Sequence, residues 1–147
     1  MKIRVLLVDD EEEFVRTLAE RLQMRGYDVT TSFSGEDAIK EIKGYNFDVV
    51  VLDVLMPGLD GIEALREIKN IKPLTEVIML TGHATVETAI EGMKLGAYDY
   101  LMKPCKTEDL LSKINAARER KAEHEERIRE AKVRELETSP LSVLKDK

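Results

Sequence analysis

Five polar side chains stand where apolar runs of this sequence end or soon after: Asp9, Asp10, Asp53, Thr81 and Lys103. Taken alone, each Asp has an ordinary structural explanation, since an Asp that follows a strand usually caps a turn or a helix. Together they supply three carboxylates, a hydroxyl and an ammonium group. Carboxylate oxygens suit Mg²⁺, which keeps several of its waters when it binds to proteins. A hard cation beside such groups is typical of sites that handle phosphoryl groups.

Short apolar runs predict the strands that must position these residues. Residues 5–8, 49–52 and 77–80 are continuous apolar runs, which indicate strands buried on both faces of a parallel sheet. Residues 28–33 are more polar and predict an edge strand. Residues 97–102 predict a fifth strand.

Apolar residues at helical spacing predict five helices between and after these strands. Gly26 and Gly96 suit the ends of the first and fourth helices. Asp60 with Glu63 forms a capping-box pattern before the third helix, and Thr107 can cap the fifth. The apolar residues that mark the first four helices are Phe14, Leu18 and Leu22, then Ala38, Ile39 and Ile42, then Ile62, Leu65 and Ile68, then Val86, Ala89, Ile90 and Met93.

This alternation of strand and helix predicts an α/β fold, a doubly wound five-stranded parallel sheet with helices on both faces. The edge-like second strand favours the order 2-1-3-4-5. In that order the first and third strands are neighbours, so Asp9, Asp10 and Asp53 would meet at the carboxyl edge of the sheet, where such folds bind ligands. Three clustered carboxylates repel one another, and we therefore expect a cation among them.

Four stretches of the sequence resemble the receiver domain of bacterial two-component response regulators. They are VLLVDDE, VVVLDVLMPGLDG, VIMLTGHA and GAYDYLMKP, and the resemblance runs from about Ile3 to about Ala117. It implies the flavodoxin-like form of the fold and a phosphorylation-dependent signalling switch. Such a switch accepts a phosphoryl group from a partner histidine kinase or phosphotransfer protein. It then changes the surface around its fourth helix, fifth strand and fifth helix.

The resemblance also implies a role for each carboxylate. Asp53 would be the phosphoacceptor, which attacks the phosphohistidine of the partner. Asp9 and Asp10 would hold Mg²⁺ together with Asp53 and the backbone carbonyl of Leu55. The domain would assist its own phosphorylation and dephosphorylation, but it would not be an enzyme with an external metabolite as substrate.

The remaining roles concern the phosphoryl oxygens and the switch. Lys103 would pair with the phosphoryl oxygens as a point charge, and Thr81 would hydrogen-bond one of them. Tyr100 would be an aromatic switch that turns inward when Thr81 moves. The Lys103–Pro104 peptide bond would be cis, which places the lysine.

Composition excludes several classes of function. The chain has 147 residues, which fits one domain, and its net charge of -6 argues against a direct nucleic-acid surface. Cys105 is the one cysteine, so no internal disulfide can form. No apolar run approaches the roughly 18 residues of a membrane span, and acidic residues follow the first apolar run where a signal peptide would have its cleavage site. We therefore expect a cytoplasmic protein with no membrane association.

The character of the sequence changes after about residue 117. Residues 118–137 read RERKAEHEERIREAKVRELE, in which acidic and basic residues fill most positions and cancel. This pattern predicts a long exposed helix that continues the fifth helix and ends at Ser139–Pro140. We therefore divide the chain into a receiver domain over residues 1–117 and a charged helical extension over residues 118–147.

Two interpretations of the extension stay open. One is a solvated helix without a partner. The other is a homodimer through the fifth helix and its extension, in which two charged or titratable residues would weaken the seam of an isolated coiled coil. The seam would consist of residues at alternating spacings of four and three: Leu110, Ile114, Ala117, Lys121, His124, Ile128 and Ala131.

Three other functions suit the same fold. A flavin- or nucleotide-binding enzyme would want a Gly- or Ser/Thr-rich phosphate loop after the first strand, where this chain has DDEEE. A haloacid-dehalogenase-type phosphatase would need a second Asp two residues after Asp53, and that position is Leu55. An interaction or dimerisation module that does not depend on phosphorylation remains the alternative, although all five key residues are present.

Overall fold

A computed structural model describes residues 2–82 and 85–138 of the chain. In this part of the chain every predicted strand and helix is present, and the fifth strand begins two residues later than predicted. None of the described helices is both long enough and apolar enough to span a membrane. The elements are β1 (Arg4–Val8), α1 (Glu12–Met24), β2 (Asp28–Ser32), α2 (Gly35–Gly44), β3 (Val49–Leu52), α3 (Gly61–Ile71), β4 (Glu76–Thr81), α4 (Val86–Lys94), β5 (Asp99–Met102) and α5 (Thr107–Thr138).

The five strands form one parallel sheet in the order β2-β1-β3-β4-β5, which confirms the predicted fold class and strand order. Val8 at the end of β1 is paired with Leu52 at the end of β3. The pairing continues one step further, because the N–H of Asp53 donates to the carbonyl of Val8 at 3.0 Å. The residues that follow β1 and β3 therefore lie side by side at one edge of the sheet.

Apolar side chains cover both faces of the sheet, because successive residues of a strand point to opposite faces. One layer joins Leu6, Val50 and Met79 to the buried residues of α2 and α3. The other layer joins Leu7 and Ile78 to the buried residues of α1 and α5. Burial on both faces explains why the central strands are continuous apolar runs rather than alternating ones.

The apolar residues from which α4 was predicted locate the helix correctly, but they do not show which of its sides packs on the sheet. Ala89 is buried, whereas Val86, Ile90 and Met93 are exposed. Gly92 faces the sheet in their place, and a Cβ added to it would meet the methyl group of Met79 at 2.2 Å. The exposed side of α4 is therefore an apolar surface.

The first part of α5 packs into its own domain. Leu110, Ile114 and Ala117 are each at most 1% exposed and belong to the layer with α1. These residues are the first three of the seven in the predicted coiled-coil seam, and they are not available to a partner. The expectation fails there because a helix that packs against its own sheet shows nearly the same periodicity as a coiled-coil seam.

Two charged contacts hold α5 to the sheet beyond its apolar part. Glu76, at the start of β4, is 2% exposed and forms a two-pronged ion pair with Arg120, with Nη2 to Oε1 at 2.9 Å. Lys69 Nζ lies 3.5 Å from the same carboxylate. Lys121 Nζ lies 3.5 Å from Asp48 Oδ1. From residue 125 to residue 138 the helix is exposed throughout, and its predicted end at Ser139–Pro140 lies outside the described residues.

Candidate functional site

The structure brings Asp9, Asp10 and Asp53 together at the carboxyl edge of the sheet. One carboxylate oxygen from each lies within 4.8 Å of the other two. Asp9 and Asp53 are 4% and 3% exposed, whereas Asp10 is exposed. The sequence places them there because Asp9 and Asp10 directly follow β1 and Asp53 directly follows its neighbour β3.

The oxygens of these three carboxylates are suitable ligands for Mg²⁺. Three carboxylate oxygens are hard ligands, and the exposed position of Asp10 leaves one side open to the waters that Mg²⁺ retains. Leu55 follows two residues after Asp53, and its N–H donates to Asp53 Oδ1 at 3.4 Å. The backbone of Leu55 is therefore next to the carboxylates.

Lys103 is the cation of the site in this structure. Its Nζ lies 2.5 Å from Asp9 Oδ2, 3.3 Å from Glu11 Oε1 and 3.9 Å from Asp53 Oδ2. The same ammonium lies 4.2 Å from the centre of the Phe14 ring, a cation–π contact. The peptide bond from Lys103 to the following proline is cis, as the resemblance implies.

Burial and the attraction between the two charges have opposite effects on the pKa values of Asp9 and Lys103. Burial raises the pKa of the Asp9 carboxyl, and the nearby Asp53 charge adds to that, against the hydrogen bonds from Lys103 and from the N–H of Glu11. Burial alone would lower the pKa of Lys103, but the hydrogen bond and charge of Asp9, together with the charges of Asp53 and Glu11, outweigh it and raise the pKa. The lysine therefore stays protonated and compensates part of the carboxylate charge.

Thr81 is the last residue of β4 and has no exposed surface. Its carbonyl accepts a hydrogen bond from the N–H of Lys103 at 2.9 Å, which joins the end of β4 to the segment after β5. At Gly82 an added Cβ would meet nothing closer than Lys103 Cβ at 4.0 Å, so there is room beside the site. His83, the next residue, lies outside the described residues.

The side chain of Tyr100, on β5, lies next to α4 and not among the carboxylates. It is 39% exposed and lines a groove of about 470 Å³ with the apolar side of α4, including Val86, Ile90 and Met93. Met102, two residues on along the same face of the strand, is also exposed. The residue predicted to switch therefore adjoins the largest group of exposed apolar side chains on α4 and β5.

Three residues near the site were not predicted. Glu11 and Phe14 contact the ammonium of Lys103, although Phe14 had been assigned only to the packed side of α1. Glu36 reaches the loop after Asp53, where its Oε1 accepts the N–H of Leu59 at 2.7 Å. The DDEEE run was a signal for Glu11, but nothing local could reveal a contact between residues 36 and 59.

Comparison with known proteins agrees with this geometry. The family model described as the response regulator receiver domain matches residues 5–115. An uncharacterised transcriptional regulatory protein of Bacillus subtilis, YkoG, is 37% identical over 116 residues, which are 79% of this chain and 51% of YkoG. The transcriptional regulatory protein ZraR of Salmonella typhimurium is 42% identical over 103 residues, which are 70% of this chain and 23% of ZraR. The chain thus spans about half or less of these relatives.

A solved structure has the same fold over nearly its whole length. The CheY-like response regulator receiver domain protein from Methanospirillum hungatei is 27% identical, with a TM-score of 0.82, and the match covers 84% of this chain and 99% of that one. The family model, the relatives and the strand order agree on one assignment. The chain belongs to the family of receiver domains of two-component response regulators, which are signalling domains.

Proposed function

We propose that this chain is a phosphorylation-dependent switch in which Asp53 accepts a phosphoryl group from a partner histidine kinase or phosphotransfer protein. One observation carries the proposal: the buried Asp53 carboxylate lies at the end of a central strand, beside Asp9 and Asp10 and 3.9 Å from the ammonium of Lys103. An oxygen of Asp53 attacks the phosphorus, and the bond from phosphorus to the histidine nitrogen breaks. The product is an acyl phosphate on Asp53.

The chain's own contribution to this step is position and charge. A carboxylate is already an anion and needs no general base, so orientation and charge compensation supply most of the catalysis. Asp9, Asp10, Asp53 and the Leu55 carbonyl would hold Mg²⁺, whose chemistry is to neutralise charge on the phosphoryl oxygens. The ammonium of Lys103 would move from Asp9 to those oxygens.

The switch itself would lie in Thr81 and Tyr100. The hydroxyl of Thr81 would hydrogen-bond a phosphoryl oxygen, and the ring of Tyr100 would turn inward behind it. That movement would change the groove between α4 and β5, whose exposed apolar residues support a role in contacts. A module that does not depend on phosphorylation is not favoured, because it gives no reason for the carboxylates and lysine to come together.

The remaining assignments are part of the same proposal. Residues 1–117 would be the receiver domain and residues 118–147 a charged extension. A homodimer through α5 and its extension would have to use exposed residues of that helix other than Leu110, Ile114 and Ala117, which are buried in their own domain. Direct nucleic-acid and membrane contacts are not proposed, and the cytoplasmic location expected from the sequence stays a prediction.

Phosphorylation by a small donor tests the assignment of Asp53. With acetyl phosphate and Mg²⁺ we expect the intact mass to rise by one phosphoryl group, and Asp53→Asn should abolish the gain. Asp37→Asn is the matched control, because Asp37 is an exposed carboxylate on α2 away from the cluster, and it should label like the wild type. Equal labelling of Asp53→Asn and wild type would refute the proposal.

A further inference from the structure

The loop of residues 53–60 carries both Asp53 and Leu55, and hydrogen bonds fix its two ends. At the first end the N–H of Asp53 donates to the carbonyl of Val8 at 3.0 Å. At the other end the N–H of Gly61 donates to the carbonyl of Val54 at 2.8 Å, and Asp60 caps α3. In the stretch between these ends, the N–H of the exposed Leu55 donates to Asp53 Oδ1, but at 3.4 Å this bond is long and weak. A further contact is needed if the backbone of this stretch is to keep one position.

Glu36, in the first turn of α2, contacts that stretch. Its Oε1 accepts the N–H of Leu59 at 2.7 Å. The approach is so close that it requires glycines. A Cβ on Gly58, where φ is +78°, would lie 2.8 Å from Glu36 Oε1, and a Cβ on Gly35 would lie 2.5 Å from the carbonyl oxygen of Leu59. Two glycines and one carboxylate thus join the start of α2 to this loop.

The Glu36 carboxylate is in its charged form in this contact. The bond from the Leu59 N–H lowers the pKa of Glu36. Its place in the first turn of α2 is also one where a helix favours an anion. The distance of 2.7 Å is typical of a hydrogen bond to a charged acceptor, which is stronger than one between neutral groups.

We propose that Glu36 is a positioning residue for the phosphorylation site, which holds the loop so that the backbone of Leu55 stays beside Asp53. This inference rests on the proposed function, because it gives the Leu55 carbonyl its place in the metal site. Without the Glu36 contact the loop samples more conformations, and binding Mg²⁺ has to order it first. The metal then binds more weakly, in proportion to the fraction of molecules that have the loop in place.

Three variants separate this role from a general loss of charge or stability. Glu36→Ala removes the acceptor, whereas Glu36→Gln keeps an oxygen that can accept the Leu59 N–H. Asp37→Ala is the matched control, since Asp37 is also an exposed acidic residue of the same helical turn, and no side-chain bond from it to the loop occurs among the described residues. Circular dichroism and thermal unfolding first establish that all three variants fold.

Hydrogen exchange of the Leu59 amide, followed by NMR in Mg²⁺-free protein, reports on the contact itself. We expect exchange in Glu36→Ala to be at least about threefold faster than in wild type, because a hydrogen-bonded amide exchanges only when its bond opens. Asp37→Ala should match the wild type, and Glu36→Gln should recover most of the protection. Unchanged exchange in Glu36→Ala would overturn the proposal.

Titration with Mg²⁺ reports on the consequence. We expect the dissociation constant to rise about three- to tenfold in Glu36→Ala and to return towards wild type in Glu36→Gln, a modest effect because water competes for this exposed contact. An unchanged constant, with faster Leu59 exchange, would refute the positioning role. Failure of the wild type to gain a phosphoryl group would instead refute the proposed function, while the exchange and Mg²⁺ data would still decide the role of Glu36.

Discussion

At the scale of single residues, the carboxylate of Asp9 is the group for which Lys103 and a bound metal ion would compete. The ammonium of Lys103 lies 2.5 Å from Asp9 Oδ2 but 3.9 Å from Asp53 Oδ2, so it compensates mainly the charge of Asp9 and less that of Asp53. Glu11 and the ring of Phe14 keep the ammonium on that side of the site. A phosphoryl group on Asp53 offers Lys103 a stronger anionic partner. The geometry therefore favours a lysine that moves between Asp9 and the phosphoryl oxygens.

Leu55 should make the acyl phosphate long-lived. It is 54% exposed in the loop after Asp53, and its side chain has no atom that could orient or activate a water. We expect Leu55→Asn to shorten the lifetime several-fold, measured as the decay of phosphorylated protein by intact mass after the donor is removed. Decay of the wild type as fast as the variant would contradict this expectation.

At the scale of secondary structure elements, Gly61 is the residue that lets α3 begin directly behind Asp53. A Cβ at this position would lie 2.1 Å from the Asp53 carbonyl oxygen and 2.5 Å from Val54 Cα, both of which are backbone atoms that cannot move aside. We expect Gly61→Ala to lower the free energy of unfolding by about 1–3 kcal/mol or more, measured by urea denaturation.

Gly44 provides the control for that substitution. It is the last residue of α2, and an added Cβ would meet nothing within 4 Å. Gly44→Ala should therefore be neutral or should stabilise the fold by up to about 1 kcal/mol, because alanine has the higher helix propensity and loses less backbone entropy. Equal destabilisation by both substitutions would show that the close approach at Gly61 is not what matters.

The sequence predicts elements better than it predicts which surfaces they bury. Burial on both faces leaves a clear signature in β3, whose four residues are all apolar and buried, and the more polar β2 is indeed at the edge. Helical periodicity revealed α4 and α5, but it cannot tell which side of α4 packs on the sheet. Nor can it tell whether Leu110 and Ile114 pack against their own chain or another. The Glu36–Leu59 and Glu76–Arg120 contacts join distant segments and have no local signature.

At the scale of the whole molecule, binding of Mg²⁺ should stabilise the fold. The three clustered carboxylates repel one another, and a cation among them relieves that cost. At ten times its dissociation constant, Mg²⁺ should add about 1.4 kcal/mol to the free energy of unfolding, which is a rise of a few degrees in melting temperature. Asp10→Ala should fold, because Asp10 is exposed, and should show a smaller shift. The same melting temperature with Mg²⁺ and with EDTA would count against the metal site.

Two truncations should show how far along α5 the helix packs against the rest of the receiver domain. Removing everything after Lys121 should change the melting temperature little, because all the described residues that it deletes are exposed apart from the half-buried His124. Removing everything after Ala117 also deletes Arg120, which leaves the carboxylate of Glu76, 2% exposed, with Lys69 as its remaining cation. Loss of the two-pronged bond to Arg120 leaves this buried carboxylate only partly compensated, at a cost of about 1–3 kcal/mol, so this shorter chain should unfold at a lower temperature.

Arg120→Ala in the full chain should reproduce most of the loss seen on truncation after Ala117, because it removes the same partner of Glu76. Lys121→Ala should cost less, since the side chain of its partner Asp48 is 23% exposed and keeps contact with water, whereas that of Glu76 is 2% exposed. If truncation after Lys121 destabilises the protein as much as truncation after Ala117, the extension makes a stabilising contact of its own. Sedimentation equilibrium of the full and truncated chains would then show whether that contact is with a second copy, because only an intermolecular contact makes the number of chains per particle depend on the extension and on protein concentration.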